Sequence, residues 1–377
     1  MISVTCIAPV NIAVIKYWGK RDEDLILPLN DSVSATLSTD HLRTKTTISA
    51  CENYEANKIL LNGIEESFEN PRLVRCLNEM KKLAGRSSKC NPRILGWKVH
   101  VETENNFPTA AGLASSASGY ACLVYALACL YGIENEEISS IARQGSGSAC
   151  RSLYSGFVKW CKGQLPDGSD SIAVQLTSHE YWPEMRILIL VVNDSRKKTS
   201  STGGMSTSVK TSKLLKHRTE QCVPQHTKGL EEALRNKDFE TFGKITMQDS
   251  NQFHAICLDT YPPCVYMNDV SHAIVNMIHR FNDLKDSIRV AYTFDAGPNA
   301  CLYLLQKDVE EVIAVINKVF PNDSIGSSEY IKGIPTNLPE VTDLTNKFTP
   351  VGRNMLKYII HTKVGEGPKR IANDSLI

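Results

Sequence analysis

No stretch of this 377-residue chain approaches the roughly 20 unbroken apolar residues of a helical membrane span, so a membrane protein of that kind is excluded. Net charge is almost absent. The 42 Lys and Arg against 41 Asp and Glu leave a formal charge of +1, which argues against a broad nucleic-acid-binding face. No C-x-x-C pair occurs among the 12 cysteines, which read as reduced core residues of an intracellular protein without a zinc site. A basic n-region and a long apolar h-region are both missing from MISVTCIAPV, so a secretory signal is not expected. The terminal Ser375-Leu376-Ile377 is only distantly like a peroxisomal address. Internal repeats and low-complexity tracts are lacking too. With 42% hydrophobic and 22% charged residues the composition is that of a soluble globular protein, and the length calls for two lobes or one large body.

What is present centres on Pro108 to Tyr120, PTAAGLASSASGY, which runs into the apolar segment Ala121 to Tyr131. Small side chains at Ala110, Ala111, Gly112, Ala114, Ser115 and Ser116 leave backbone N–H groups open to a close approach. A helix starting there adds its own unsatisfied donors. The Ser115 and Ser116 hydroxyls can meet phosphate oxygens or a Mg2+ between them. The Lys-Ser/Thr ending of a Walker loop is missing, so a cation must come from elsewhere in the chain. A small-residue helix start packed on a sheet is the alternative reading.

Ser3 to Ala8 alternates as a strand closed by Pro9, and Asn11 to Asp22, NIAVIKYWGKRD, follows. Lys16, Lys20 and Arg21 crowd three cations around the Tyr17 hydroxyl, either as an anion clamp or as a solvated basic loop. Tyr17 and Trp18 read as packing residues, because no further aromatic and basic interleaving follows them. Arg43 to Ala50 and Lys58 to Leu61 read as strands with a hairpin turn at Asn62-Gly63. Asn70-Pro71 opens a helix that Gly85 closes, and Trp97 to Val101 alternates into the small-residue loop.

Helices are expected over Ala117 to Tyr131 and Glu134 to Arg143. A second small-residue loop then runs from Gln144 to Ser152, with Ser146, Ser148 and Arg151. The guanidinium suits bidentate carboxylate or phosphate contact, or is a surface arginine after a helix cap. Met185 to Val192 is a continuous apolar strand, and the boundary between halves falls before it, giving lobes 1–184 and 185–377. A third polar loop, Asn193 to Met205, carries Arg196, Lys197, Lys198 and Ser201. Helical patterns follow at Ser206 to Arg218, Gln225 to Asn236, Phe239 to Ile256 and Val265 to Phe281, interrupted at Pro224 and Pro262-Pro263. His254, His272 and His279 lack metal-ligand spacing. Arg289 to Asp295 alternates as a strand, with Asp295 before an Ala-Gly-Pro-Asn turn, where an Asp is ordinarily a turn-former. Ala300 to Leu305, Val309 to Phe320 and Tyr358 to Val364 complete the second half as strand, helix and strand.

These strings resemble the mevalonate diphosphate decarboxylase family of the GHMP small-molecule kinase superfamily. The first half carries the resemblance in APVNIAVIKYWGKRD (Ala8 to Asp22), PTAAGLASSASGYA (Pro108 to Ala121) and RQGSGSACRSLYSGF (Arg143 to Phe157). In the second half it lies in SSTGGM (Ser200 to Met205), DSNQFHAICLDTYPP (Asp249 to Pro263) and AYTFDAGPNA (Ala291 to Ala300). It is weakest over Pro321 to Thr349.

The resemblance implies an α+β fold in two GHMP kinase-like lobes, a ribosomal protein S5 domain 2-like ATP-binding lobe and a ferredoxin-like α/β lobe, with the site between them. The implied reaction is ATP-dependent decarboxylation of (R)-5-diphosphomevalonate to isopentenyl diphosphate, in a cytoplasmic homodimer, with ATP and Mg2+. Matched by motif, Asp295 abstracts or orients the C3 hydroxyl proton, and Lys16 neutralises charge beside it. Arg151 holds the substrate carboxylate, with Asn11 orienting it and Ser146 and Ser148 lining its pocket. Tyr17, Lys20 and Ser201 meet the diphosphate region. Pro108, Ala110, Ala111, Gly112, Leu113, Ala114, Ser115 and Ser116 bind ATP, Ser116 also as a Mg2+ ligand. One departure is Asp31, where Ser is common in the family; it is expected to face solvent. A GHMP kinase that stops at phosphorylation is the rival reading, and a catalytically silent relative is a third.

Overall fold

Residues of Arg43–Cys51 alternate between half-buried and buried, as an antiparallel strand with one covered face requires. The computed structural model describes residues 1–107, 115–135, 137–192, 199–337 and 343–372, and among these three main sheets and their helices form an α+β fold. Arg43–Cys51 lies inside a six-stranded sheet in the order Lys369–Ile371, Ile2–Pro9, Arg43–Cys51, Lys98–Asn105, Lys58–Leu61, Ile64–Glu66. The Asn62-Gly63 hairpin forms as expected, with both residues at positive φ, the backbone of a primed turn. Helices Pro71–Arg86 and Ser115–Tyr131 cover this sheet, packing Met80 and Val124 into one core with Val4, Ile48 and Val99.

A second, four-stranded sheet runs Ala173–Thr177, Phe157–Trp160, Ser32–Thr36, Asn11–Ile15, and a five-stranded sheet runs Val290–Phe294, Ala300–Leu305, Met185–Val191, Tyr358–Lys363, Ile331–Gly333. The apolar run at Met185–Val191 has a cause in this arrangement. Ile187, Ile189 and Val191 share a core with Ile12, Val14 and Phe157 of the second sheet, while Leu188 and Leu190 pack beneath the helices Asp269–Leu284 and Val309–Val319. Both faces are buried, so alternation is lost. Val290–Phe294 likewise is buried at every position instead of showing the alternation its sequence suggests. The helix Phe239–Asp259 packs against both Asn11–Ile15 and Val290–Phe294, which draws the ends of these strands together. We keep the division at 184/185 as a proposal; the strand Lys369–Ile371 crosses it to pair with Thr5–Ile7.

Several element boundaries differ from expectation. Gly85 sits inside its helix, which ends when Ser87 N–H donates to Ala84 O. The helix expected from Glu134 begins at Ser139, and the Gly147–Leu153 stretch read as a loop is a 3-10 helix. Val265 does not start its helix, because Asn268 and Ser271 form a capping box. Pro224 does not interrupt the chain of helices. A π-helical segment, Arg218–Cys222, runs directly into Val223–Asn236, with Val223 N–H donating to Arg218 O, so the helical run passes Pro224 unbroken.

Candidate active site

A short, fully buried strand, Asn11–Ile15, ends at Lys16, and its pairing with Ser32–Thr36 shifts register between Ala13 and Ile15. Such a bulge re-aims the side chains beyond it. The Lys16 ammonium turns back to donate to Ala13 O at 2.7 Å and to Asp295 Oδ1 at 2.7 Å. Lys16 is 3% exposed, whereas Asp295, just past the strand Val290–Phe294, keeps 34% of its side chain open. Both line a cavity of about 210 Å³.

Every residue expected to contact the substrate lines this same cavity: Asn11, Lys16, Tyr17, Lys20, Ser146, Ser148, Arg151, Ser201 and Asp295, together with Ser116. Arg151 projects from the 3-10 helix and is 2% exposed, so it is not a surface arginine. Its Nε donates to Ser34 Oγ at 2.9 Å and its guanidinium lies 5.8 Å from the Trp160 ring, while Nη1 is buried without a partner. Burial disfavours its charged form, pulling its pKa below the ordinary guanidinium value. A carboxylate meeting Nη1 would offset that cost.

Tyr17 presents a second buried, unpartnered polar atom, its hydroxyl. Burial raises this phenol's pKa, so the group is a neutral donor. Lys20 forms an ion pair with Glu23 at the cavity wall. Gly147 lets these parts meet, since a Cβ there would lie 2.8 Å from the Trp160 ring and 3.0 Å from that of Tyr17. Gly19 adopts φ +93°, which turns the chain between Trp18 and Lys20 in a conformation other residues resist.

Two expectations gain detail in the structure. Asn11 acts on Arg151 indirectly: its Nδ2 donates to Ser148 O at 3.1 Å and Ser152 Oγ at 2.7 Å, so it braces the helix that carries Arg151. Ser34 is the residue that orients the guanidinium. Asp31 is half-buried and accepts from Lys162 N–H at 2.7 Å, and it is absent from the cavity wall. Arg72, in the first turn of Pro71–Arg86, lines the cavity and was not singled out by its sequence; an arginine after Asn-Pro offers no signal apart from helix-start chemistry. Trp18 is both packing residue and wall, held by Nε1 donating to Ser208 Oγ at 2.8 Å.

Ser115 and Ser116 begin the helix Ser115–Tyr131, and Ser116 Oγ lies 3.5 Å from Ser146 Oγ. Pro108, Ala110, Ala111, Gly112, Leu113 and Ala114 lie outside the described residues, as do Arg196, Lys197 and Lys198. Ser201 opens the helix Ser201–Thr211, capped by Ser200. Among the described residues no group of three or more His, Cys, Asp and Glu could hold a metal ion, and no helix is long and apolar enough to cross a membrane. The oxygen donors at the cavity, Ser116 and Asp295, fit Mg2+ in the way that ion usually binds, through few protein ligands and substrate phosphates.

Comparison with known proteins adds a match to the diphosphomevalonate decarboxylase-like N-terminal domain over residues 8–173 and to the mevalonate 5-diphosphate decarboxylase C-terminal domain over 187–371. The diphosphomevalonate decarboxylase of Danio rerio is 53% identical over 380 residues, covering 99% of this chain and 94% of its own. The chain belongs to the diphosphomevalonate decarboxylase family. The mevalonate diphosphate decarboxylase structure from Trypanosoma brucei has a TM-score of 0.90 at 38% identity, with 100% of each chain covered. The family is also represented by MDDEF in complex with MVAPP, AMPPCP and magnesium, with TM-score 0.77, 29% identity and coverage of 98% of this chain and 99% of that one.

Proposed function

We propose that this site converts (R)-5-diphosphomevalonate and ATP to isopentenyl diphosphate, CO2, ADP and phosphate. One observation carries the reading beyond phosphoryl transfer: buried, half-partnered Arg151 faces the same small cavity as the Lys16–Asp295 pair. A kinase of a neighbouring hydroxyl has less need of such a carboxylate grip.

A carboxylate beta to a tertiary alcohol holds its CO2 because hydroxide leaves poorly; phosphorylation of the C3 hydroxyl creates the leaving group. Asp295 accepts the hydrogen bond of that hydroxyl and orients it. The adjacent Lys16 holds the carboxylate in place at 2.7 Å, which suits a loose phosphoryl-transfer transition state that asks for positioning more than proton abstraction. Loss of phosphate from C3 then draws the electron pair of the breaking C–CO2 bond into the new double bond. Arg151 holds the departing carboxylate, and Tyr17, Lys20, Arg72 and Ser201 receive the diphosphate. Ser116 would hold Mg2+, which would supply neutralisation of phosphate charge.

For the nucleotide we assign a second cavity of about 380 Å³, walled by Ile59, Leu61, Leu73, Val101, Ser115, Tyr120 and Leu123 and sharing Ser116 with the first. Its apolar walls suit a purine, and the serines lead toward the reacting centre. Family membership supports a homodimer in the cytoplasm, which sedimentation and cell fractionation would test. The reaction itself is tested by counting ADP and CO2 together from purified protein, both substrates and Mg2+. Equal amounts support the decarboxylase; ADP without CO2 would establish a kinase, and neither product with binding intact a silent relative.

A further inference from the structure

Arg218 and Asp249 form an ion pair in which the side chains are 1% and 0% exposed, behind the active site and outside its cavity. Two Arg218 nitrogens reach the carboxylate, Nη2 to Oδ1 at 2.8 Å and Nη1 to Oδ2 at 3.0 Å, and His226 Nδ1 lies 3.1 Å from Oδ2. Burying two charges costs much of what their attraction returns, so the pair is a poor device for stability alone. Burial raises the tendency of Asp249 to take a proton, yet the Arg218 charge and then the His226 and Arg218 hydrogen bonds hold its pKa below the usual carboxylate range.

Two further bonds of the pair converge on one residue. Asp249 Oδ1 accepts from Lys16 N–H at 2.8 Å, and Arg218 Nη2 donates to Lys16 O at 3.1 Å. Asn30 Nδ2 donates to the same carbonyl at 3.1 Å. Both backbone polar groups of Lys16 are thus held by partners that are themselves locked, which fixes the peptide planes on either side of its Cα. Gln252 Oε1 accepts from Arg218 Nη1 at 2.7 Å and keeps the guanidinium from swinging away. The π-helical segment that begins at Arg218 sets this side chain toward the strand end.

We propose that Arg218 and Asp249 are positioning residues for Lys16: their buried pair clamps its backbone and so holds its ammonium against Asp295. The inference rests on the activity proposed above. Neither residue touches the cavity, so the clamp acts on turnover through Lys16 and leaves the substrate contacts in place.

The test uses two variants of the full chain. Arg218→Lys keeps a buried cation but loses the planar fork. The paired substitution Arg218→Met with Asp249→Leu removes both charges together, so no unpaired ion is left in the interior, an exchange that folded proteins often tolerate. Displacement of Lys16 is expected to lower kcat by about tenfold to a hundredfold. KM for both substrates should stay within about threefold, the signature of an interaction lost from the transition state. Thermal unfolding and circular dichroism define the folded fraction, and Arg218→Lys decides the matter where the paired variant does not fold. Folded variants with kcat within about twofold of the parent would overturn the clamp, and so would a parallel rise of both KM values, which marks a generally loosened pocket. Absence of turnover in the parent protein would instead overturn the proposed activity, and the clamp's role with it.

Discussion

Lys16 Nζ sits 2.7 Å from Asp295 Oδ1, an ion pair that joins residues 279 positions apart in the chain. The two strands that end there belong to different sheets, and Tyr303 strengthens the junction by donating its hydroxyl to Ile12 O at 3.0 Å. The proposed catalytic pair is therefore also a seam between two sheets.

Asp295→Asn is expected to lower kcat by about a thousandfold or more, with both KM values within about tenfold. The amide still fills the site, but it presents no charge to Lys16 and orients the hydroxyl poorly. Steady-state kinetics with ADP release as readout checks this; near-normal kcat would remove Asp295 from the mechanism.

Arg151→Gln should reduce kcat/KM by about a hundredfold, corresponding to about 3 kcal/mol for one side of a buried, charged hydrogen-bonded pair. Arg151→Lys should recover little of it, since the Ser34 contact at Nε and the planar second nitrogen are both lost. Counting CO2 beside ADP separates failed binding of the carboxylate from uncoupled phosphoryl transfer.

Gly147→Ala introduces a methyl where the nearest Trp160 and Tyr17 ring atoms lie 2.8 and 3.0 Å away. Relief requires both rings to shift, which should cost about 1–3 kcal/mol of stability and raise KM for the diphosphate substrate. Urea unfolding and kinetics on the same preparation measure the two effects; an unchanged midpoint and KM would show that the cavity wall yields freely.

Acid should destabilise the protein before its carboxylates titrate. Burial, then the Lys16 charge, lowers the His254 pKa from 6.5 to about 4 in the folded state. The unfolded chain therefore binds a proton that the folded chain refuses, so the stability His254 contributes is present above pH 6.5 and lost as pH falls toward 4. Its size is about 3 kcal/mol at full effect. His254→Phe should reduce the pH dependence of the urea midpoint across that window without abolishing it, because burial lowers the His361 pKa to about 4 as well, while the Asp249 contribution disappears only below the usual carboxylate range. A slope unchanged by the substitution would show that His254 does not contribute to it.

The amino-acid sequence alone determined many of the elements and the chemistry-bearing strings. Its apolar run at Met185–Val191, its Asn-Gly hairpin and its Asn-Pro helix start all depend on local backbone preference and burial pattern, which neighbouring residues express wherever they sit. Motif resemblance likewise named Lys16, Arg151 and Asp295, because those residues stand in unusual strings. Tertiary structure decided the rest. That Arg72 reaches the cavity, that Ser34 meets the Arg151 guanidinium while Asn11 braces its helix, and that Arg218 and Asp249 grip Lys16 are contacts across long stretches of chain. An arginine in an ordinary helical pattern carries no local mark of such a role. Its meaning arises only when packing buries its charge and leaves a carboxylate and the Lys16 carbonyl as its partners.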